Sequence, residues 1–214
     1  MQLHRHLDLE RYRHNRWGID WFWITRPLAA HLRRPLTVCE IGIGPLRISA
    51  LPWLAGTAAH LVGVDPVREF VDAAREALPD ARIVHAAVCD RADTTVRISV
   101  NGGSSAIMGA WCPTRGGARI VEVPAVRMSQ IDDGTVDVLN IDCEGAEHHV
   151  LAHLVSAPAV IGIELWPQYP KRGWCLAWLR EHEYRPIIET GPESETSVWV
   201  HCPMYAHHDG HPGE

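Results

Sequence analysis

From residue 36 onward the chain alternates short runs rich in Val, Ile and Leu with helix-compatible segments, and that alternation admits few folds. The strand-like runs are LTVCEIG (36–42), HLVGVD (60–65), RIVHAAV (82–88), VDVLNID (136–142), AVIGIEL (159–165), RPIIE (185–189) and TSVWVHC (196–202). Helical segments are expected over 45–56, 66–78, 145–155 and 171–183. Strand-helix-strand order predicts a mostly parallel sheet with helices on both faces. The last two runs are separated by little more than TGPESE, so they read as an antiparallel hairpin at a sheet edge. Residues 95–126 interrupt the order with TVRISV, NGGSSA and RIVEVPAV, which predicts an extra hairpin with a mobile loop above the sheet.

Composition narrows the class. A chain of 214 residues with 46% apolar content can bury one substantial core, and its net charge of −6 offers no basic field for a nucleic-acid backbone. The most apolar stretch, Ile48 to Val64, is broken by Pro52, Gly56, His60 and Gly63, so no membrane span is expected. The start, MQLHRHLDLERYRH, lacks the apolar core of a secretory signal, and a cytoplasmic protein is expected. Cys39, Cys89, Cys112, Cys143, Cys175 and Cys202 show no C-x-x-C spacing and read as reduced thiols. Residues 1–34 are set apart as a helical or lid segment, because Trp17 and Trp21 share a helical face; packing is the commoner use of such a stripe. Residues 35–204 form the main domain, and the His-rich end, 205–214, is expected to be a flexible tail.

Chemistry concentrates where strands end. Glu40, Gly42 and Gly44 stand where the first strand turns toward a first helix, and these glycines let a ligand approach the backbone. Asp65 closes the next strand, 21 residues after Gly44, where a carboxylate can accept both hydroxyl hydrogens of a ribose. A dinucleotide fingerprint needs glycine at position 47, which is Arg47 here, so NAD is disfavoured. The acid-x-Gly-x-Gly order suits S-adenosylmethionine better, because an acid welcomes its ammonium or sulfonium charge. Downstream, Asp142, Glu144 and Glu147 crowd the exit of VLNID around Gly145. Acids there can hold a positive charge or take a reacting proton, or they can cap the following helix. Asp142 and Glu144 are assigned to chemistry and Glu147 to the helix start. Glu164 ends the neighbouring strand and with Asp142 could hold a divalent ion, although an ion pair is the more ordinary use and no metal is assigned. His149 and His153 lack a third ligand in reach on their helix and read as a surface stripe.

In this order, VCEIGIG, VGVDPVREFVDAAREAL, IVHAAVCD, GGSSAI, VPAVRMSQI, VDVLNIDCEGAEHHVL and IGIEL resemble the FkbM-type S-adenosylmethionine-dependent methyltransferases over about residues 36–166. The most specific block is the one at the end of the fourth core strand, where Asp142, Glu144, Gly145 and Glu147 match and Asn140 replaces the usual lysine. Pro45 and Leu46 also follow Gly44, where the family often has a further glycine. The resemblance implies an α/β, Rossmann-like three-layer sandwich of the class I methyltransferase type. Its seven-stranded sheet would have the order 3-2-1-4-5-7-6, with strand seven antiparallel. It further implies that Glu40, Gly42 and Gly44 face the methionine part of the cofactor, Asp65 the ribose, and Ala86 and Ala87 the adenine; beside the methyl, Asp142 is expected to position the cofactor amine or the acceptor, and Glu144 to serve as base or acceptor clamp. O-methylation of a hydroxyl on a small molecule, sugar or natural product is the implied reaction. Two other readings are a NAD-linked or nucleotide-sugar oxidoreductase, which lacks a convincing Tyr-x-x-x-Lys, and a non-catalytic cofactor-binding scaffold subunit. Homo-oligomerisation is compatible with any of these.

Overall fold

Runs that are apolar along their whole length can be buried only inside a sheet covered on both faces. In the computed structural model, residues 21–55, 58–92, 94–102, 105–111, 119–189 and 196–202 are described. Eleven strands occur among them: β1 (Leu36–Ile41), β2 (Ala58–Asp65), β3 (Arg82–His85), β4 (Ala87–Val88), β5 (Thr94–Val100), β6 (Ala106–Ile107), β7 (Arg119–Val126), β8 (Val138–Ile141), β9 (Val160–Glu164), β10 (Tyr184–Glu189) and β11 (Thr196–His201). Seven of them form one sheet in the order β3-β2-β1-β8-β9-β11-β10. All pairs are parallel except those made by β11, which runs antiparallel to both β9 and β10. This is the expected order and the expected antiparallel edge.

Alternation along the strands divides the core. On one face Cys39, Leu139, Ile141, Ile161 and Ile163 pack with Val150 and Leu151 of the helix Glu147–Ala152 and Cys175 and Leu179 of the helix Arg172–Glu181. On the other, Leu36, Val38, Val138, Val160, Val198 and Val200 pack with Trp21, Ile24 and Leu28 of the helix Trp21–Leu32. Each fully buried Leu or Ile contributes about 1.5–3 kcal/mol of transfer free energy, so these faces drive the assembly. Trp21 lies over Gly162, where an added Cβ would come within 2.4 Å of its ring. Trp21, Ile24 and Leu28 of the N-terminal segment thus pack in the core, while Trp17 and the His-rich tail lie outside the described residues.

The start of the central pair is pinned by charge. Arg34 donates to both carboxylate oxygens of Asp137 at 2.7 and 2.6 Å, and Oδ2 also accepts the Thr37 N–H at 2.9 Å. This fixes β1 against β8 with Glu40 opposite Asn140 and Ile41 opposite Ile141, so the two strands end side by side.

Two local expectations are corrected. The helix expected over 45–56 is reduced to Leu51–Leu54. Gly44 has φ +58, Pro45 has no N–H to give, and only Pro52, in a first helical turn, suits a helix start. The insertion does form an antiparallel pair, β5 with β7, but with β4 and β6 it makes a separate four-stranded sheet, β4-β7-β5-β6. Its buried residues Ile98 and Val123 pack on Val67 and Ala87 rather than standing free above the main sheet.

Candidate active site

The carboxyl ends of β1, β2 and β8 open into one cleft, lined among others by Glu40, Gly42, Gly44, Asp65, Ala86, Ala87, Asp142 and Glu144. The expected site residues are thus brought together, and β1 turns first. Gly42 has φ +87, its N–H donates to the Val64 carbonyl at 2.9 Å, and a Cβ there would lie 1.6 Å from the Asp142 carbonyl oxygen. Only glycine lets the exits of β1 and β8 lie this close. Gly44 donates its N–H to Asp65 Oδ2 at 2.8 Å, and Val67 donates to Oδ1 at 2.7 Å. Two backbone donors thereby orient the Asp65 carboxylate at the cleft, and burial pushes its pKa up to about 6.

Glu40 is 2% exposed and sits in a ring of donors. Oε2 accepts Ser49 Oγ–H at 2.6 Å and the Leu51 N–H at 3.3 Å; Oε1 accepts the Ala50 N–H at 2.9 Å and Asn140 Nδ2–H at 3.0 Å. Burial nonetheless raises its pKa to about 7. The carboxylate thus satisfies the start of the short helix Leu51–Leu54, and Asn140, in place of the family lysine, binds it with an amide instead of a cation. Sequence reasoning saw the substitution but not this partner, which the β1–β8 register alone supplies.

At the β8 exit, Asp142, Glu144 and, from the β9 exit, Glu164 each offer a carboxylate oxygen, all within 4.8 Å of one another. Among the described residues this is the one group of three or more His, Cys, Asp or Glu close enough for a metal ion. His149 and His153 join no such group. Burial raises the Asp142 pKa, and a hydrogen bond with Glu164 partly opposes it. Neither Asp142 nor Glu144 stands at the N-cap of the helix that follows; that position is Ala146, which makes no side-chain cap bond. Glu144 adopts φ +51, an unfavourable conformation for a side-chain-bearing residue, and is 9% exposed. Glu147, 2% exposed, accepts the Gly145 N–H on Oε1 at 3.0 Å and so ties down the turn before the helix.

Opposite the acids the cleft is apolar. Val67, Phe70, Ala86, Ala87 and Ile98 line it, with Ser105 and Ile107 from the insertion. The insertion's share was missed from sequence; the signal was the alternation in TVRISV, which places Ile98 inward, but not which wall it would face. Two glycines lining the cleft, an oriented carboxylate, small residues at Ala86 and Ala87, and acids beyond them fit a nucleoside joined to a cationic amino-acid chain.

The Methyltransferase FkbM domain model matches residues 46–186, well over half of the chain. No curated protein matches. Similar solved structures include a TehB-like SAM-dependent methyltransferase from Corynebacterium glutamicum, 16% identical over 90% of this chain and 95% of that one, TM-score 0.43. DesVI of Streptomyces venezuelae is 10% identical over 94% and 98%, TM-score 0.47. SAM-bound CalS10, an amino pentose methyltransferase from Micromonospora echinaspora, is 17% identical over 78% and 57%, TM-score 0.39. By the family match, the chain belongs to the FkbM-type S-adenosylmethionine-dependent methyltransferases.

Proposed function

We propose that the protein moves a methyl group from S-adenosylmethionine to a hydroxyl oxygen of a small-molecule or glycan-like acceptor. The observation that carries this reading is the convergence of Asp142, Glu144 and Glu164 within 4.8 Å beside a cleft floored by Gly42 and Gly44. When bound, S-adenosylmethionine supplies an electrophilic methyl on a positively charged sulfur. In this reading Gly42 and Gly44 lie along its methionine part, with Glu40 behind them, Asp65 accepts the ribose hydroxyls, and Ala86 and Ala87 border the adenine. Asp142 holds the ammonium group or the acceptor, and Glu144 takes the hydroxyl proton as the carbon–oxygen bond forms and the carbon–sulfur bond breaks.

Two features of the surroundings support a small acceptor. The acids sit in a cleft rather than on a flat face, and the net charge of −6 disfavours an anionic polymer. Among the described residues no helix is long and apolar enough to cross a membrane. The test is incubation with methyl-labelled S-adenosylmethionine and a panel of sugars and hydroxylated small molecules, with and without EDTA, followed by mass spectrometry. The reading expects label on an oxygen and equal turnover under EDTA. Label on nitrogen would overturn the hydroxyl assignment, and loss under EDTA restored by magnesium would make the acids metal ligands.

A further inference from the structure

The acid-bearing exits of β8 and β9 are joined by a cross-link that the reaction described above does not use. Tyr169 lies beyond Glu164 in a turn closed by its own N–H on the Trp166 carbonyl at 3.0 Å. Its ring is 5% exposed, and its hydroxyl reaches across to donate to the Gly145 carbonyl at 3.1 Å. His148 Nδ1 is 2.6 Å from the same hydroxyl. We propose that Tyr169, held by His148, is a positioning residue that fixes Glu144 beside Asp142 and Glu164.

The argument runs through Gly145, the residue after Glu144. Its carbonyl accepts Tyr169, its N–H donates to Glu147 Oε1 at 3.0 Å, and its Cα faces the Trp111 carbonyl so closely that a Cβ would sit 2.0 Å from that oxygen. Trp111 in turn packs against Tyr169 with the rings tilted by 48° and their centroids 5.4 Å apart. With its three free sides engaged, Gly145 cannot rotate, and Glu144 cannot leave its φ of +51. Such a conformation persists only where the surroundings hold it. Tyr169 is the one member of this set that arrives from the Glu164 side, so it also sets the gap between the two strand exits.

The hydrogen bond that the phenol donates to the Gly145 carbonyl selects the His148 tautomer. A phenol has one hydrogen, and the Gly145 carbonyl can only accept, so the hydrogen goes there. His148 must then donate from Nδ1–H to the phenol oxygen. A single N–H is available in neutral imidazole, and burial together with His149 and Lys171 lowers the His148 pKa to about 4, against a weaker opposing pull from Asp90. The ring is therefore neutral over the physiological range and its Nδ1 carries the proton.

This inference rests on the reading that the three acids serve methyl transfer, but its test does not require an acceptor. Carboxyl carbons of Asp and Glu are labelled with 13C and titrated by NMR in the full chain. Acids this close titrate in separated steps, with at least one midpoint above the ordinary carboxylate range. Glu147 also faces Asp142, and Glu147→Gln assigns its step; the Cys143 thiol, raised well above its usual value, stays protonated throughout. In Tyr169→Phe the exits part, and the highest midpoint of the three falls by about one pH unit, since the proton held in the hydrogen bond between Asp142 and Glu164 is no longer shared. His148→Asn offers Nδ2–H where Nδ1–H stood and keeps the parental titration; His148→Ala follows Tyr169→Phe. A merely structural tyrosine would lower the unfolding midpoint and leave the three midpoints unchanged. Superimposable titrations in the parent and Tyr169→Phe overturn the proposal. If Tyr169→Phe does not fold, equal titrations in His148→Ala and His148→Asn overturn it. A shifted titration in a protein that transfers no methyl upholds the strut and sinks the proposed function alone.

Discussion

Replacing Gly42 by alanine should separate the two central strands where the site begins. The new Cβ would lie 1.6 Å from the Asp142 carbonyl oxygen and 2.7 Å from its carbon, whereas ordinary contact begins at 3.4 Å. The strand exits must therefore move apart by well over an ångström. Two hydrogen bonds sit in the path of that movement, Gly42 N–H to Val64 and Asp142 N–H to Ile41, both 2.9 Å. Losing them costs about 1 kcal/mol each, and holding alanine at φ +87 adds about 1–2 kcal/mol. A total of about 3–4 kcal/mol is a large part of the 5–15 kcal/mol typical of a domain. Gly44→Ala is the control, because its Cβ meets only Ile48 at 3.5 Å and it should lose the backbone term alone, about 1 kcal/mol. Urea unfolding of the three proteins, with the slope checked for constancy, measures both. Gly42→Ala within 0.5 kcal/mol of Gly44→Ala, on the order of ordinary additivity error, would refute the close approach of β1 and β8.

Two further outcomes follow from the acids. Glu40 has a folded pKa of about 7 against an ordinary value of 4.5, so the native state binds its proton more tightly and stability falls as pH rises from about 4.5 to about 7. Glu40→Gln removes that slope, and the stability difference between parent and variant should shift by roughly 3 kcal/mol against the parent between pH 5 and pH 8. Asp65 slopes the same way in both proteins and cancels, and an unchanged difference would mean that the four donors offset the burial. For the β8 exit, Asp142→Asn and Glu144→Gln should leave the melting temperature near that of the parent, since neither stands at the helix N-cap and each amide keeps the volume and shape of its acid, while slowing methyl transfer by about 100- to 10,000-fold. Glu147→Ala should do the reverse, losing about 1–3 kcal/mol of stability with its bond to Gly145.

The strands and the acid-Gly turn were legible because they depend on patterns short in sequence, strand periodicity, glycines after an acid and an acid one strand later, whereas the order of the sheet came only through the family resemblance. The antiparallel edge followed from loop length alone. What the sequence concealed depends on register and on long-range approach. Asn140 reaches Glu40 across 100 positions, and nothing local marks the pair. Gly145 could be read as a turn glycine, but not as the surface against which Trp111 lies, because residues 34 positions apart meet only after the insertion folds back. The helix over 45–56 failed for the opposite reason: apolar periodicity outweighed the signals of Gly44, Pro45 and Pro52, which confine the helix to Leu51–Leu54.

Calorimetric titration of S-adenosylhomocysteine and of NAD into the parent and Asp65→Ala tests the central claim most directly, at a temperature where both are folded. The account predicts that the parent binds S-adenosylhomocysteine and not NAD, and that Asp65→Ala weakens binding by about 1–3 kcal/mol, roughly 5- to 150-fold. Binding of NAD instead, or equal affinity for S-adenosylhomocysteine in both proteins, would contradict it.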